Sequence, residues 1–253
     1  DGFTVIFASS EQNTHKLAHL VETMVGYSVE GLIVAPCIGA EAALARAVNI
    51  GIPTVLIDRN MPGEDFGRVL VDNIDAGKVA AKYLIHQGFG KVEMITYKSG
   101  VNSLTDRETG YEMAMEEAGL KDEVRIHKIE YEAEAAKKDV IEIFRDAAKR
   151  GVEAFILPTK RIAMYGFNAL NVLGLNLPKD FSFVSFDESD VYELNKPVVP
   201  HVIQPLSEIA SRSFALLQNM IEGKVSEEEK TSLLKVKLVL GGRFGGESTE
   251  ASF

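Results

Sequence analysis

Three places along the 253-residue chain put a charge where an acceptor-rich small molecule would need one. In Thr105-Asp106-Arg107-Glu108, Thr105 and Glu108 have the spacing of a capping box, which places Arg107 in the first turn of a helix. Lys160 and Arg161 come directly after the apolar run Ala154-Phe155-Ile156-Leu157, at the start of another helix. A cation at a helix amino terminus opposes the backbone dipole at a cost of about 0.3–1 kcal/mol. A partner is therefore expected, either a carboxylate such as Asp106 or Glu108, or solvent, or a ligand. Arginine would offer such a ligand a planar fork of donors. Asp187, closing the run Ser182 to Phe186, supplies the complement: a carboxylate that accepts hydrogen bonds from hydroxyls.

Other chemistry finds less support. The sequence has no phosphate-binding G-x-x-x-x-G-K-[ST], no G-x-G-x-x-G after a strand, no G-x-S-x-G and no H-E-x-x-H. His15 and His19 lie four apart on a helix, but no third metal ligand accompanies them. Asp187 and Glu188, as neighbours after a strand, point apart and have no histidine nearby to share a proton. Cys37 is the single cysteine and follows a buried-looking strand, which reads as a packed thiol. The expectation is a binder of small molecules that holds no metal or cofactor and catalyses no reaction.

The elements that must position these residues alternate. Strands are expected at 3–8, 31–35, 54–57, 69–71, 92–96, 124–130, 154–157 and 182–186, and helices at 13–26, 39–49, 73–87, 105–119, 133–149, 160–174 and 205–222. The helix over 73–87 rests on Ala76, Val79, Ala80, Tyr83 and Leu84, spaced along one face. Strands such as Thr54-Val55-Leu56-Ile57 are apolar throughout, so helices should cover both faces of their sheet. Two sheets of four to six strands, each in its own lobe, suit the length better than a single (β/α)₈ barrel, because the alternation breaks after Asp187. The segments beyond it, with a closing strand near Leu234 to Leu240, read as crossovers between lobes. In open parallel sheets ligands sit beyond the carboxyl ends of the strands, where all three charged places fall.

Composition narrows the classes. At 46% hydrophobic and 25% charged residues the chain can bury a core, and its apolar runs are far shorter than the roughly 20 residues that cross a bilayer. A formal net charge of -10 argues against contact with a nucleic-acid backbone by this chain. The chain enters its first strand at once, which fits a chain that starts within a longer protein. A single cysteine makes no internal disulfide, and cytoplasmic residence is the expectation compatible with it.

The ordered motifs resemble the effector-binding region of the LacI/GalR family of bacterial transcription regulators over nearly the whole chain. They run through Glu30-Gly31-Leu32-Ile33-Val34-Ala35-Pro36, Gly51-Ile52-Pro53-Thr54-Val55-Leu56-Ile57-Asp58-Arg59, Val71-Asp72-Asn73 and Arg107-Glu108-Thr109-Gly110-Tyr111. They continue through Leu177-Pro178-Lys179-Asp180, Ser185-Phe186-Asp187-Glu188 and Gln204-Pro205. The resemblance implies two Rossmann-like parallel-sheet lobes joined by three crossovers, the periplasmic-binding-protein-like type I fold. One lobe takes 1–72 with 205–232, the other 73–204 with 233–253. It implies a sugar, sugar acid or sugar phosphate bound in the interlobe cleft, a homodimer, and operator DNA held through an N-terminal helix-turn-helix that this chain lacks, together with a first strand and helix. On the resemblance Arg107 is the ligand-clamping arginine, Asp187 the ligand-binding aspartate and Ser103 a frequent polar contact. Lys160-Arg161 depart from the Asn-Asp that many members carry there, which points to an anionic effector. A transport-linked sugar-binding protein of the same fold is the alternative, which a signal peptide in the upstream sequence would favour.

Overall fold

β-Branched and aromatic runs become strands and the amphipathic segments between them become helices, in an order set by parallel pairing. The computed structural model describes residues 2–63, 65–195, 197–240 and 250–251. The chain divides into two compact units, Asp1–Val71 with Leu206–Leu234 and Asp72–Pro205 with Lys235–Phe253, and passes between them three times. The first unit begins with α1 (Thr14–Gly26), β1 (Leu32–Val34), α2 (Glu41–Asn49), β2 (Thr54–Ile57) and β3 (Gly67–Val71). The second continues with α3 (Asn73–His86), β4 (Val92–Tyr97), α4 (Asn102–Glu117), β5 (Ile126–Ile129), α5 (Ala133–Arg150), β6 (Ala154–Leu157), α6 (Lys160–Leu173), β7 (Ser182–Phe186), α7 (Asp190–Leu194) and β8 (His201–Ile203). The chain then returns to the first unit for α8 (Leu206–Ile221) and β9 (Thr231–Leu234), and to the second for β10 (Lys237–Val239) and β11 (Glu250–Ala251).

The first unit holds a wholly parallel sheet in the order β1-β2-β3-β9. Leu17 and Val21 of α1 and Leu44 and Ala47 of α2 share a core with Leu56 and Phe66. The second unit holds seven strands in the order β11-β10-β8-β7-β6-β4-β5, parallel except at β8-β10 and β10-β11. Its strands send alternate residues to opposite faces, as the pleat requires. Ile95, Phe155, Leu157 and Phe183 join Val140 and Phe144 of α5 and Ile162 of α6 in one core, whereas Met94, Ala154, Ile156 and Val184 join α3 and α4 in the other. Burial on both faces explains why these strands read as unbroken apolar runs.

Four expectations need correction. Residues 3–8 form no strand, and Phe3, Val5, Ile6 and Phe7 are exposed, Phe7 at 92%. High β-propensity does not by itself make a ladder, and residues 3–8 pair with none of the described strands. Phe3 instead sets its ring edge-on against Phe214 of α8 at 5.7 Å. The helix expected over 105–119 begins at Asn102, after Val101, which provides no side-chain cap. Thr105 lies inside it and its hydroxyl donates back to Val101 O at 3.5 Å, while Glu108 pairs with Lys128 instead of capping. The closing strand near Leu234 to Leu240 is two strands in different sheets, β9 and β10. The second sheet exceeds six strands because β8, β10 and β11 extend it past β7. The Gly-rich stretch at 241–249 lies outside the described residues.

At the amino ends of the second sheet, the Glu93 side chain is 5% exposed and meets Arg150 through both carboxylate oxygens, with His127 Nε2 at 2.7 Å and Arg125 Nε at 3.6 Å. Burial alone would raise its pKa, but the hydrogen bonds from Arg150 and His127 outweigh that and hold it at about 2. A carboxyl with a depressed folded-state pKa contributes stability above its unfolded pKa and loses it as pH falls toward the folded value. Urea unfolding is therefore expected to show a stability loss between roughly pH 4.5 and 2 that the Glu93→Gln variant largely lacks. At neutral pH the same variant should be less stable by on the order of 1–2 kcal/mol, since the partly exposed Arg150 loses its buried partner and keeps Asp146.

Candidate functional site

The carboxyl ends of β6 and β7 lie side by side in the second unit, with Leu157 in register with Ser185. After β6, Pro158 and Thr159 lead into α6, and Thr159 Oγ1 accepts the Ile162 N–H at 3.2 Å as the helix cap. Lys160 and Arg161 then occupy the first turn, as the sequence suggests. Both are exposed, and among the described residues neither has a carboxylate within 4.0 Å. The two side chains diverge. Lys160 Nζ donates to Glu188 O at 3.3 Å, toward β7. Arg161 reaches the other way, with its Cζ 5.4 Å from the centroid of the Tyr131 ring beyond β5.

After β7, Asp187 adopts a left-handed backbone, φ 63°. Its N–H donates to Val202 O at 2.8 Å, and its Oδ1 accepts Gln204 Nε2 at 2.7 Å. Holding a non-glycine residue in that region costs on the order of 1–3 kcal/mol and persists where the surroundings fix it. The neighbouring strand β8 supplies that fixing through Val202 and Gln204. Below, Tyr192 Oη meets Ser185 Oγ at 2.8 Å and donates to Phe186 O at 3.1 Å. Burial raises the Tyr192 hydroxyl to about 12, so it remains a donor at any working pH.

Arg107 lies beneath these strand ends. It stands in the second turn of α4 and is 4% exposed. Its Nε donates to Asn73 Oδ1 at 2.9 Å and its Nη1 to Pro158 O at 2.6 Å, while Cζ stacks 4.4 Å from the Phe186 ring centroid. The first-turn placement expected from Thr105 and Glu108 is thereby overturned, and with it the dipole argument for this residue. Arg107 touches residues next to both Lys160 and Asp187, so the structure gathers all three at one edge of the sheet. Ser103 is 8% exposed, one turn before Arg107.

The close approach of α3 and α4 sets this arrangement. A Cβ added at Gly77 would overlap the carbonyl oxygen of Arg107, and one at Gly110 would overlap that of Ile74. The helices meet backbone to backbone, and glycine alone permits it.

Several residues escaped the sequence reading. Asp58 follows β2 of the first unit as Asp187 follows β7 of the second, with φ 62°, and Arg59 Nε lies 3.4 Å from its carboxylate. The repeated pattern of an apolar strand ending in Asp was a visible signal for it. Gln204 as the partner of Asp187, and a group of tyrosines around Arg161, left no local signal. His15 and His19 sit exposed on α1, and the described residues hold no group of three His, Cys, Asp or Glu side chains able to bind a metal. No helix among the described residues is long and apolar enough to cross a membrane.

Comparison with known proteins adds the following. The sequence profile of the periplasmic binding protein-like domain matches residues 81–242. The HTH-type transcriptional regulator DegA of Bacillus subtilis is 25% identical over 236 residues, covering 92% of this chain and 69% of DegA. A solved Burkholderia thailandensis structure assigned as a ribose operon repressor superposes with a TM-score of 0.83 at 28% identity, covering 94% of this chain and 87% of that one. A LacI family regulator from Enterococcus faecalis, solved with bound ribose, shares the fold with a TM-score of 0.79 at 21% identity, covering 94% and 86%.

Because Gly77 abuts the backbone of Arg107 itself, Gly77→Ala is expected to destabilise the protein by roughly 3 kcal/mol or more in urea unfolding. Lys160→Met, at an exposed position without an ion pair, should change the same measurement by less than about 0.5 kcal/mol.

Proposed function

The chain belongs to the periplasmic binding protein-like domain family, and from that premise we propose that it takes a small sugar-like metabolite at the carboxyl ends of β6 and β7, as the effector-binding region of a LacI/GalR-type transcriptional regulator. The observation that carries this reading is Asp187. Its strained backbone is held by β8, Gln204 engages one carboxylate oxygen, and Oδ2 has no hydrogen-bond partner among the described residues. A carboxylate so fixed accepts hydrogen bonds from ligand hydroxyls at little reorganisation cost. Lys160, on Glu188 O and without a carboxylate partner among the described residues, supplies a cation at the same edge, and Ser103 a hydroxyl one turn before Arg107. Arg107 holds Pro158 and Phe186 in place, with two of its donors on Asn73 and Pro158.

The regulator relatives favour a sensor whose ligand binding biases a DNA-bound state, a population shift set by differential affinity. Operator contact then belongs to a helix-turn-helix elsewhere in the parent protein, in keeping with the acidic charge of this chain. A cytoplasmic homodimer that performs no chemical step completes the reading. The effector is a sugar, sugar acid or sugar phosphate.

A calorimetric screen of such compounds should find a saturable ligand, and Asp187→Asn should weaken it at least about tenfold, roughly 1.4 kcal/mol, with the melting temperature little changed. Unaltered affinity in that variant would remove Asp187 from the site and this reading with it.

A further inference from the structure

Beyond β6, on the side away from Asp187, a second group of polar side chains converges on Arg161. Tyr97, at the end of β4, is 3% exposed, and Tyr165 of α6 is 6% exposed. The Tyr97 hydroxyl faces that of Tyr165, and Tyr165 faces the Arg161 guanidinium, but neither hydroxyl makes an aligned hydrogen bond, nor does Ser99 Oγ just beyond the strand. Buried hydroxyls normally find aligned partners, and two such tyrosine hydroxyls beside one guanidinium among the described residues point to a group that comes from outside the chain. The Tyr97 and Tyr131 rings lie 5.1 Å apart, and Tyr131 forms the surface on which the Arg161 guanidinium rests.

We infer that Arg161, with Tyr97 and Tyr165, forms an oxyanion subsite that grips the carboxylate or phosphate of an acidic effector. This rests on the sensor reading above and deepens it. The exposed guanidinium has no carboxylate within 4.0 Å among the described residues, and the nearby Glu130 is already engaged by Lys98 at 2.5 Å. Arg161 only donates, and the Tyr97 and Tyr165 hydroxyls each have a proton to give, so an acceptor-only group satisfies the three together. The amino end of the 14-residue helix α6, with no acidic residue in its first turn, adds a favourable dipole. Tyr165 approaches the guanidinium closely enough to raise the pKa of Arg161, so the charge persists at all working pH. Burial, followed by the neighbouring Tyr165 hydroxyl, likewise raises that of Tyr97, which keeps its proton available for donation.

The test is titration calorimetry with matched sets of a neutral sugar, its aldonic acid and its terminal phosphate, drawn from common pentoses and hexoses. At least one acidic form should bind tenfold or more tightly than its neutral parent, and comparison of acid with phosphate identifies which oxyanion is read. Arg161→Met and Tyr165→Phe should abolish that ratio while leaving the neutral sugar's affinity within about twofold, whereas Lys160→Met should preserve most of it. Arg161 is exposed, so an unchanged melting temperature in Arg161→Met certifies the fold. Neutral sugars binding as tightly as their acids, or an acid preference that survives Arg161→Met, overturns the subsite while leaving the sensor reading intact. Binding by no member of any set overturns the sensor reading and the subsite together.

Discussion

A buried guanidinium must have its donors satisfied, and in this protein the residues that satisfy Arg107 are the ones that build the edge of the sheet. Asn73 begins α3, Pro158 follows β6 and Phe186 ends β7, so one side chain touches three elements at once. It reaches them only because α3 and α4 touch at Gly77 and Gly110. The order of cause runs from two missing Cβ atoms to a close helix pair, from the helix pair to a fixed arginine, and from the arginine to the placement of Lys160 and Asp187. Arg107 thereby ties the helix pair to the strand ends.

The parallel sheet divides labour between its two ends. All parallel strands deliver their carboxyl termini to one edge, where backbone groups are no longer paired within the sheet and side chains are free to meet a ligand. Asp187, Lys160, Arg161 and Tyr97 are there. The opposite edge carries Glu93, whose two carboxylate oxygens accept hydrogen bonds from Arg150 and meet His127, with Arg125 3.6 Å away. That cluster binds β4, β5 and α5 together and belongs to stability. Asp187 and Asp58 each take a left-handed backbone directly after a parallel strand.

Where physics acts locally, the sequence was legible. The stripe Ala76, Ala80 and Leu84 falls on the buried face of α3, and Phe155, Ile156 and Leu157 form the doubly covered strand β6. The charged residues after β6 and β7 stand at the ends of those strands because strand boundaries follow from apolar runs. Failures arose where partners decide. Phe3-Thr4-Val5-Ile6-Phe7 has every propensity for a strand but no described ladder to join. Thr105 and Glu108 mimic a cap that helix α4 bypasses. Residues distant in sequence, such as Gln204 with Asp187 or Tyr97 with Tyr165 and Arg161, announce themselves only once the sheet order is known. That Arg107 would be buried was likewise invisible, since the cause lies in glycines of two helices.

The central claim is that ligand recognition resides at the carboxyl edge of the seven-stranded sheet, with Asp187 as an acceptor. A crystal structure of the chain grown with its tightest-binding sugar tests this most directly. The account predicts ligand oxygens within hydrogen-bond distance, about 2.6–3.2 Å, of the Asp187 carboxylate and the ligand body over the β6–α6 turn. Ligand bound at the Glu93 edge, or at the carboxyl edge but out of reach of Asp187, would contradict it.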